Sequence, residues 1–508
     1  MKKISLASIA AVFLALAFIP SQRTPAQARP ADARTQNPSA AIETFLREKM
    51  QKRRIPGLQV AVVRHGKIVM LGAYGTANLQ DSVPVTEQTV FSINSATKSF
   101  TGVAMMQLVE DGKVDVAAPA SRYIEGLPAA WQAVTVRQLL THTSGLPDIL
   151  IPPKGQGTGS LVGDGGEESA WNTVRTLPMD FAPGEKYRYN QTNYVLLGKI
   201  IDKLGGEPFT QFIADRQFKA AAMPSAAFGD WRDIIAHRAQ AYRYAGGTLT
   251  AASSGGRLEQ ASDDFSPFLR TAGGLNASAQ DVARWIIALQ DGTLLKRKGS
   301  LATLWTPARF NNGTPTPWAL GWPTISRPEH RAVAGIGGRR SAFFVYPDDD
   351  LAVVILTNLA GANPEEFIDE VAGHFIPELL AINGGGLPPA IKLIHKQVLK
   401  RGYAQAPAIV EELKNKDSGF QVQENDLNNW GGRLMVDDQL QDSIEIFKLN
   451  VSLYPHSANT YDSLAEAYEL HGDKALAIRN YRRSLELDPK NGNAVEHLKT
   501  LDPAGAGR

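Results

Sequence analysis

The stretch Phe91-Ser92-Ile93-Asn94-Ser95-Ala96-Thr97-Lys98-Ser99-Phe100 decides how the rest of the chain is read. An apolar run with helical spacing follows it (Phe100, Val103, Ala104, Leu108) and Asp111-Gly112 closes that run. Ser95 is therefore placed in the first turn of a helix, with Asn94 as its cap. Residues three apart share a helix face, so the Ser95 hydroxyl and the Lys98 amine project into one space. A serine hydroxyl is a weak nucleophile without a base. Burial and the positive end of a helix both penalise the lysine proton, which frees the amine to take one from serine. No other Ser-x-x-Lys occurs in the 508 residues.

Two further segments share a recognisable form with this one. They are Leu139-Leu140-Thr141-His142-Thr143-Ser144-Gly145-Leu146, and Phe181-Ala182-Pro183-Gly184-Glu185 through Tyr189 to Gly198. Together the three segments resemble the serine β-lactamase and penicillin-binding-protein superfamily, in particular its class C β-lactamase, esterase and D-aminopeptidase branch. The resemblance covers roughly residues 40–380. It implies an α+β fold, an antiparallel sheet packed with helices plus a helical subdomain, and an acyl-enzyme mechanism without metal or cofactor. It also implies roles for particular residues. Tyr189 takes the place of a tyrosine that relays the serine proton, with Tyr187 a rival, and Gln191 takes the place of an asparagine that steers substrate. Gln keeps the amide on a side chain one methylene longer. The resemblance treats His142 as part of a structural bend.

Related proteins carry a Lys-Thr-Gly or His-x-Gly ahead of two long strands. Here Ser341–Tyr346 and Leu351–Thr357 flank a turn at Pro347-Asp348-Asp349-Asp350, and the preceding residues are Val333-Ala334-Gly335-Ile336-Gly337-Gly338. The cationic or imidazole position is thus occupied by Gly335. The backbone amides of Ser95 and Gly338 are the expected oxyanion hole. Gln191, Gly337, Arg339 and Arg340 are the expected substrate-binding residues. Strand alternation would send the two arginine side chains to opposite faces, so that at most one reaches the cleft.

Composition narrows the class. An apolar fraction of 43% is that of a globular chain with ample core, and a formal charge of +2 carries no nucleic-acid footprint. Met1-Lys2-Lys3, an apolar run from Ile4 to Ile19, and Ala26-Gln27-Ala28 read as a signal peptide over residues 1–28. The run is short of the roughly 20 residues that span a bilayer. Export to the periplasm or medium, with no membrane anchor after cleavage, is the expectation. There is no cysteine for disulfides or lipid attachment. The scattered histidines form no metal motif, and Asp348 to Asp350 reads as a turn.

In order, residues 29–39 read as a flexible leader and 40–52 as a helix; Gln59–Val63 and Lys67–Leu71 read as a hairpin turning at Arg64-His65-Gly66. Residues 152–166 and 246–256 are glycine-rich insertions, the first a candidate flap. Arg270 to Asn276 leads into a helix and is assigned no chemistry. Residues 381–425 read as a linker and connecting helices. Beyond Asp426 the chain repeats at 34 residues, pairing Trp430 with Leu464, Gly431 with Ala465, Phe447 with Tyr481 and Pro455 with Pro489. These positions resemble two tetratricopeptide repeats over residues 426–502, a small all-α unit whose groove binds a protein partner or only packs on its own enzyme.

The functional expectation is a secreted serine hydrolase acting on a small-molecule or peptide-like ester or amide. The absent cation at residue 335 favours an esterase or D-amino-acid amidase over an efficient β-lactamase. The competing reading is a catalytically silent sensor or scaffold of the same fold.

Overall fold

The computed structural model describes residues 38–150, 166–245 and 256–502, apart from 326, 328, 386 and 438. The signal-peptide expectation, nearly all of the leader, and almost the whole of both glycine-rich insertions lie outside the described residues.

Seven strands form one antiparallel sheet: β1 (Gly57–Arg64), β2 (Lys67–Asn78), β3 (Val83–Pro84), β4 (Thr324–Ile325), β5 (Ala332–Gly337), β6 (Ser341–Tyr346) and β7 (Leu351–Thr357). Their order is β3-β2-β1-β7-β6-β5-β4, so the first and last parts of the N-terminal module meet along the β1–β7 pair, which runs from Leu58 opposite Thr357 to Arg64 opposite Leu351. The β1–β2 connection is a two-residue turn with His65 and Gly66 both at positive φ (51° and 65°), a geometry whose twist matches that of the flanking strands.

Both faces of the central strands are covered, and this explains their continuous apolar runs. On one face Leu58, Val60 and Val62 of β1 pack with Val353 and Ile355 of β7. On the other, Ala61 and Val63 pack with Val354, Leu356 and Phe343 beneath the helices. Helix α1 (Pro38–Lys52) covers the first face through Ile42 and Leu46. The second face carries α2 (Thr97–Glu110), α3 (Thr192–Gly205) and α4 (Ala279–Gln290), the last capped by Ser278.

Helix α2 is buried along almost its whole length, from Thr97 to Leu108. Its surroundings are held by aromatic stacking: Trp285 of α4 lies 3.8 Å from the Phe100 ring and 5.6 Å from Trp322, centroid to centroid. Small residues let other segments come close. A side chain at Gly102 would place its Cβ 2.2 Å from the Leu320 carbonyl oxygen. Asn94 does not cap α2 as the sequence suggested. It stands in a 3₁₀ turn (Asn94–Ala96) at φ 47°, and its side-chain oxygen accepts from the Ser92 hydroxyl instead.

The C-terminal part is helical: α5 (Pro389–Arg401), α6 (Ala406–Lys416), α7 (Glu424–Val436), α8 (Leu440–Leu453), α9 (Ala458–His471), α10 (Lys474–Leu487) and α11 (Gly492–Leu501). Helices α7, α9 and α11 begin 34 residues apart, as do α8 and α10. Within the first pair a Cβ at Gly431 would lie 2.6 Å from the Phe447 ring, so the missing side chain makes room for the aromatic. This part docks on the N-terminal module through Lys49, whose ammonium lies 2.6 Å from the Asp437 carboxylate. Arg433 also donates to the Gly385 carbonyl at 2.9 Å.

The stacked Trp285 bridges α2 and the sheet, so Trp285→Ala is expected to destabilise the N-terminal module by about 3–5 kcal/mol, as large aromatic deletions do. Denaturant unfolding monitored by far-UV circular dichroism measures it.

Candidate active site

Ser95 lies in the 3₁₀ turn that leads into α2, with the Ala96 amide donating to the Ile93 carbonyl at 3.1 Å and the Thr97 hydroxyl to the Asn94 carbonyl at 2.6 Å. Its side chain is partly exposed, whereas Lys98 is 1% exposed. The Lys98 amine reaches the Ser95 hydroxyl at 3.4 Å and the Ala272 carbonyl at 2.8 Å. It also sits 4.7 Å from the centroid of the Tyr189 ring and 5.0 Å from that of Tyr194. Burial lowers the Lys98 pKa, and Tyr189 and Asp148 offset part of that effect. Segment 270–276, to which the sequence assigned no chemistry, thus supplies a direct partner of the amine.

Tyr189 approaches from the segment before α3. Its hydroxyl is buried with no hydrogen-bond partner among the described residues, and the tyrosine lies near enough to the Lys98 amine to raise the pKa of that lysine. The segment is held by the bend around His142, which has φ 57°. The His142 carbonyl accepts from the Arg188 amide at 2.9 Å, and its ring Nδ1 accepts from the Asn190 amide at 3.1 Å. The Asn190 side chain donates to the Leu146 carbonyl at 2.6 Å. With Nδ1 occupied as an acceptor, the neutral imidazole carries its proton on Nε2. Burial first, and then the charge of Lys98, hold the His142 pKa well below the usual histidine value. The ring lies 4.4 Å from that of Tyr189, centroid to centroid. Tyr187 stacks on Trp318 and contacts His142 edge-on.

Asp148 was not singled out from the sequence. It is buried, accepts from the Leu150 amide at 3.0 Å and faces the Gln191 amide at 3.4 Å, and it acts electrostatically on Lys98. Burial raises its pKa, against those two amides and the charges of Lys98 and Arg188. Only its place after Pro147 marks it in the sequence, which is no chemical signal. The Gln191 side chain is half-buried, with its carbonyl oxygen lacking a partner.

The third wall is the β5–β6 hairpin. A Cβ at Gly337 would fall 1.9 Å from the Ile93 carbonyl oxygen, and one at Gly338 would fall 2.0 Å from the Asn94 side-chain nitrogen. Glycine at both positions lets the hairpin lie directly on the Ser95 turn, and the Ser341 hydroxyl ties them together by donating to the Ile93 carbonyl at 2.8 Å. Gly338 and Arg339 form a two-residue turn at φ 58° and 54°, closed by the Arg340 amide on the Gly337 carbonyl at 3.0 Å.

The two arginines therefore belong to the turn and its closing position, and strand alternation does not govern them. Arg340 is buried on Asp263 at 2.9 Å, and Arg339 donates to the Asn363 side chain at 2.9 Å. Neither guanidinium contacts Ser95, Lys98 or Tyr189. At Gly335 a Cβ would lie 2.1 Å from the Phe343 ring, so that aromatic fills the space a longer side chain would need. Among the described residues no group of three His, Cys, Asp or Glu side chains is placed to hold a metal ion.

Two outcomes follow from this packing. Gly335→Lys is expected to lower the melting temperature, because overpacking costs about 1–3 kcal/mol, and adding Phe343→Ala should recover part of the loss. Lys98→Met is expected to raise the melting temperature at neutral pH. A buried lysine with a lowered pKa costs stability while the unfolded chain stays protonated. The gain should therefore shrink as pH rises towards the ordinary lysine value of about 10.4.

Known proteins place this geometry. The family model described as Beta-lactamase matches residues 42–376. The chain is 25% identical over 355 residues to Protein flp of Staphylococcus aureus (strain MW2), covering 68% of this chain and 67% of that protein. It is 27% identical over 313 residues to Penicillin-binding protein 4* of Bacillus subtilis (strain 168), covering 60% and 67%. The octameric penicillin-binding protein homologue from Pyrococcus abyssi superposes with a TM-score of 0.55 at 25% identity, over 70% of this chain and 81% of that one. With the match spanning more than half of its length, the chain belongs to the Beta-lactamase family, which it joins to a C-terminal set of helices.

Proposed function

We propose that the chain is an acyl-enzyme serine hydrolase, an esterase or D-amino-acid amidase in preference to an efficient β-lactamase. The observation that carries it is the 3.4 Å approach of the buried Lys98 amine to the Ser95 hydroxyl. In the proposed mechanism the neutral amine takes the serine proton as Oγ bonds to the substrate carbonyl carbon. The Ser95 and Gly338 amides receive the oxyanion, an interaction commonly worth about 2.7–4 kcal/mol of barrier. The proton then passes by way of Tyr189 to the departing alcohol or amine as its bond to the acyl carbon breaks. Water releases the acyl group by the reverse proton path.

The substrate preference rests on Gly335 and Phe343. An aromatic ring where a cation would project leaves position 335 without a positive partner for a substrate carboxylate, which favours neutral acyl groups. Gln191, a half-buried residue beside Asp148, is proposed to contact substrate through its side-chain amide. The same substitution at residue 335 also supports the second reading, a silent scaffold. We further propose export by a signal peptide over residues 1–28, and tetratricopeptide-like repeats over 426–502. No helix among the described residues is long and apolar enough to cross a membrane.

A fluorophosphonate probe is expected to label the native chain and not Ser95→Ala; absence of labelling in both supports the scaffold. Tyr189→Phe should lower kcat on p-nitrophenyl butyrate by roughly 10²–10⁴-fold. Turnover of a chromogenic cephalosporin is expected to be weak, and efficient turnover would overturn the substrate preference.

A further inference from the structure

The phenol of Tyr189 is aimed by something other than its own hydroxyl, which has no hydrogen-bond partner among the described residues. What orients the ring must then be its backbone and the faces it lies on. Residue 142 supplies both. Its carbonyl accepts from the Arg188 amide at 2.9 Å and its ring Nδ1 from the Asn190 amide at 3.1 Å, so the main chain is gripped on either side of Tyr189. The imidazole also lies 4.4 Å from the Tyr189 ring and 5.2 Å from that of Tyr194, centroid to centroid, and these two rings flank the Lys98 amine.

The polarity of this contact is fixed from outside it. The Leu146 amide donates to the Ser144 hydroxyl at 3.2 Å, which in turn donates to the Asn193 side-chain oxygen at 2.6 Å. The Asn193 side-chain nitrogen is thereby turned to His142 Nδ1, at 3.3 Å. Two donors converge on Nδ1, and the proton is left on Nε2, where it is buried without an acceptor. An orphan N–H in a fully buried side chain costs stability. The bend asks only for a residue that accepts a φ of 57°, which asparagine and glycine do without that orphan. The imidazole therefore serves more than the bend.

We infer that His142 is a positioning residue for Tyr189: as a neutral imidazole accepting at Nδ1, it sets where the phenol stands against the Lys98 amine. It acts through the tyrosine and takes no part in the bonds made and broken. This rests on the hydrolase reading, in which Tyr189 passes the proton to the leaving group and receives it back from water.

The test compares two rates in the full chain. A fluorophosphonate loses fluoride without a proton as Ser95 Oγ bonds to phosphorus, so its labelling rate reports Ser95 and Lys98 and bypasses Tyr189. Turnover of p-nitrophenyl butyrate needs the tyrosine to release the acyl group. His142→Phe keeps a flat ring and loses the acceptor; it is expected to lower kcat about tenfold or more while labelling stays within about threefold of native. His142→Asn, whose side-chain oxygen can take the place of Nδ1, should keep kcat within about threefold. In a Tyr189→Phe background, His142→Phe should cost nothing further. Melting temperatures check that each variant is folded, and His142→Gln, whose amide sits at the Nε2 end, stands in for His142→Phe if that chain does not fold. Unchanged kcat in a folded His142→Phe or His142→Gln, parallel loss of labelling and turnover, a folded His142→Asn as slow as His142→Phe, or additive loss in the Tyr189→Phe background would each overturn the inference. Absence of labelling in the native chain would overturn the hydrolase reading and this inference together, whereas a labelled native chain indifferent to residue 142 overturns this inference alone.

Discussion

The burial of one amine is the constraint on which the rest of this structure depends. Removing an ammonium from water costs several kcal/mol even after the protein relaxes around it. The Lys98 site returns part of that through the Ala272 carbonyl, at about 1.5–3 kcal/mol for a hydrogen bond to a charged group. Two aromatic faces add about 0.5–2 kcal/mol each. The carboxylate that acts on the amine, Asp148, is itself buried and occupied by backbone amides. Desolvation remains the largest effect and lowers the pKa of the amine. The same environment that weakens the fold at this point favours the neutral amine that the proposed mechanism uses as its base.

Keeping that amine dry requires close approach of three segments, and the chain secures it by leaving out side chains. The Ser95 turn, the β5–β6 hairpin and the loop before β4 meet where Gly337, Gly102 and Gly321 stand. A Cβ on any of them would come within 2.7 Å of a backbone oxygen. These are contacts between main chains, which do not yield by changing a rotamer. The position of the Ser95 hydroxyl is therefore fixed by backbone packing, before any polar contact is counted.

What the sequence revealed, and what it hid, divides along the same line. The Ser-x-x-Lys spacing is local, so its shared face was legible, as were the strands Ser341–Tyr346 and Leu351–Thr357 and the 34-residue rhythm of the C-terminal helices. Contacts between distant segments were not. The carbonyl that receives the Lys98 amine is 174 residues away. Asp148 and Phe343 carry no signature of their own, and only the folded backbone brings them to Lys98 and Gly335. The helix cap assigned to Asn94 failed for a related reason: docking of the hairpin pulls Asn94 into a left-handed conformation, where its side chain serves Ser92.

The turn at Gly338 and Arg339 shows charged residues used for rigidity. One guanidinium leaves it towards Asn363, the other towards Asp263, and the Arg339 carbonyl accepts from the amides of Gly361 and Asn363 at 3.1 and 2.9 Å. The loop is moored on both flanks, like a mast between two stays. An amide carried at its tip is held in place, and in the proposed oxyanion hole it would select by refusal to adapt.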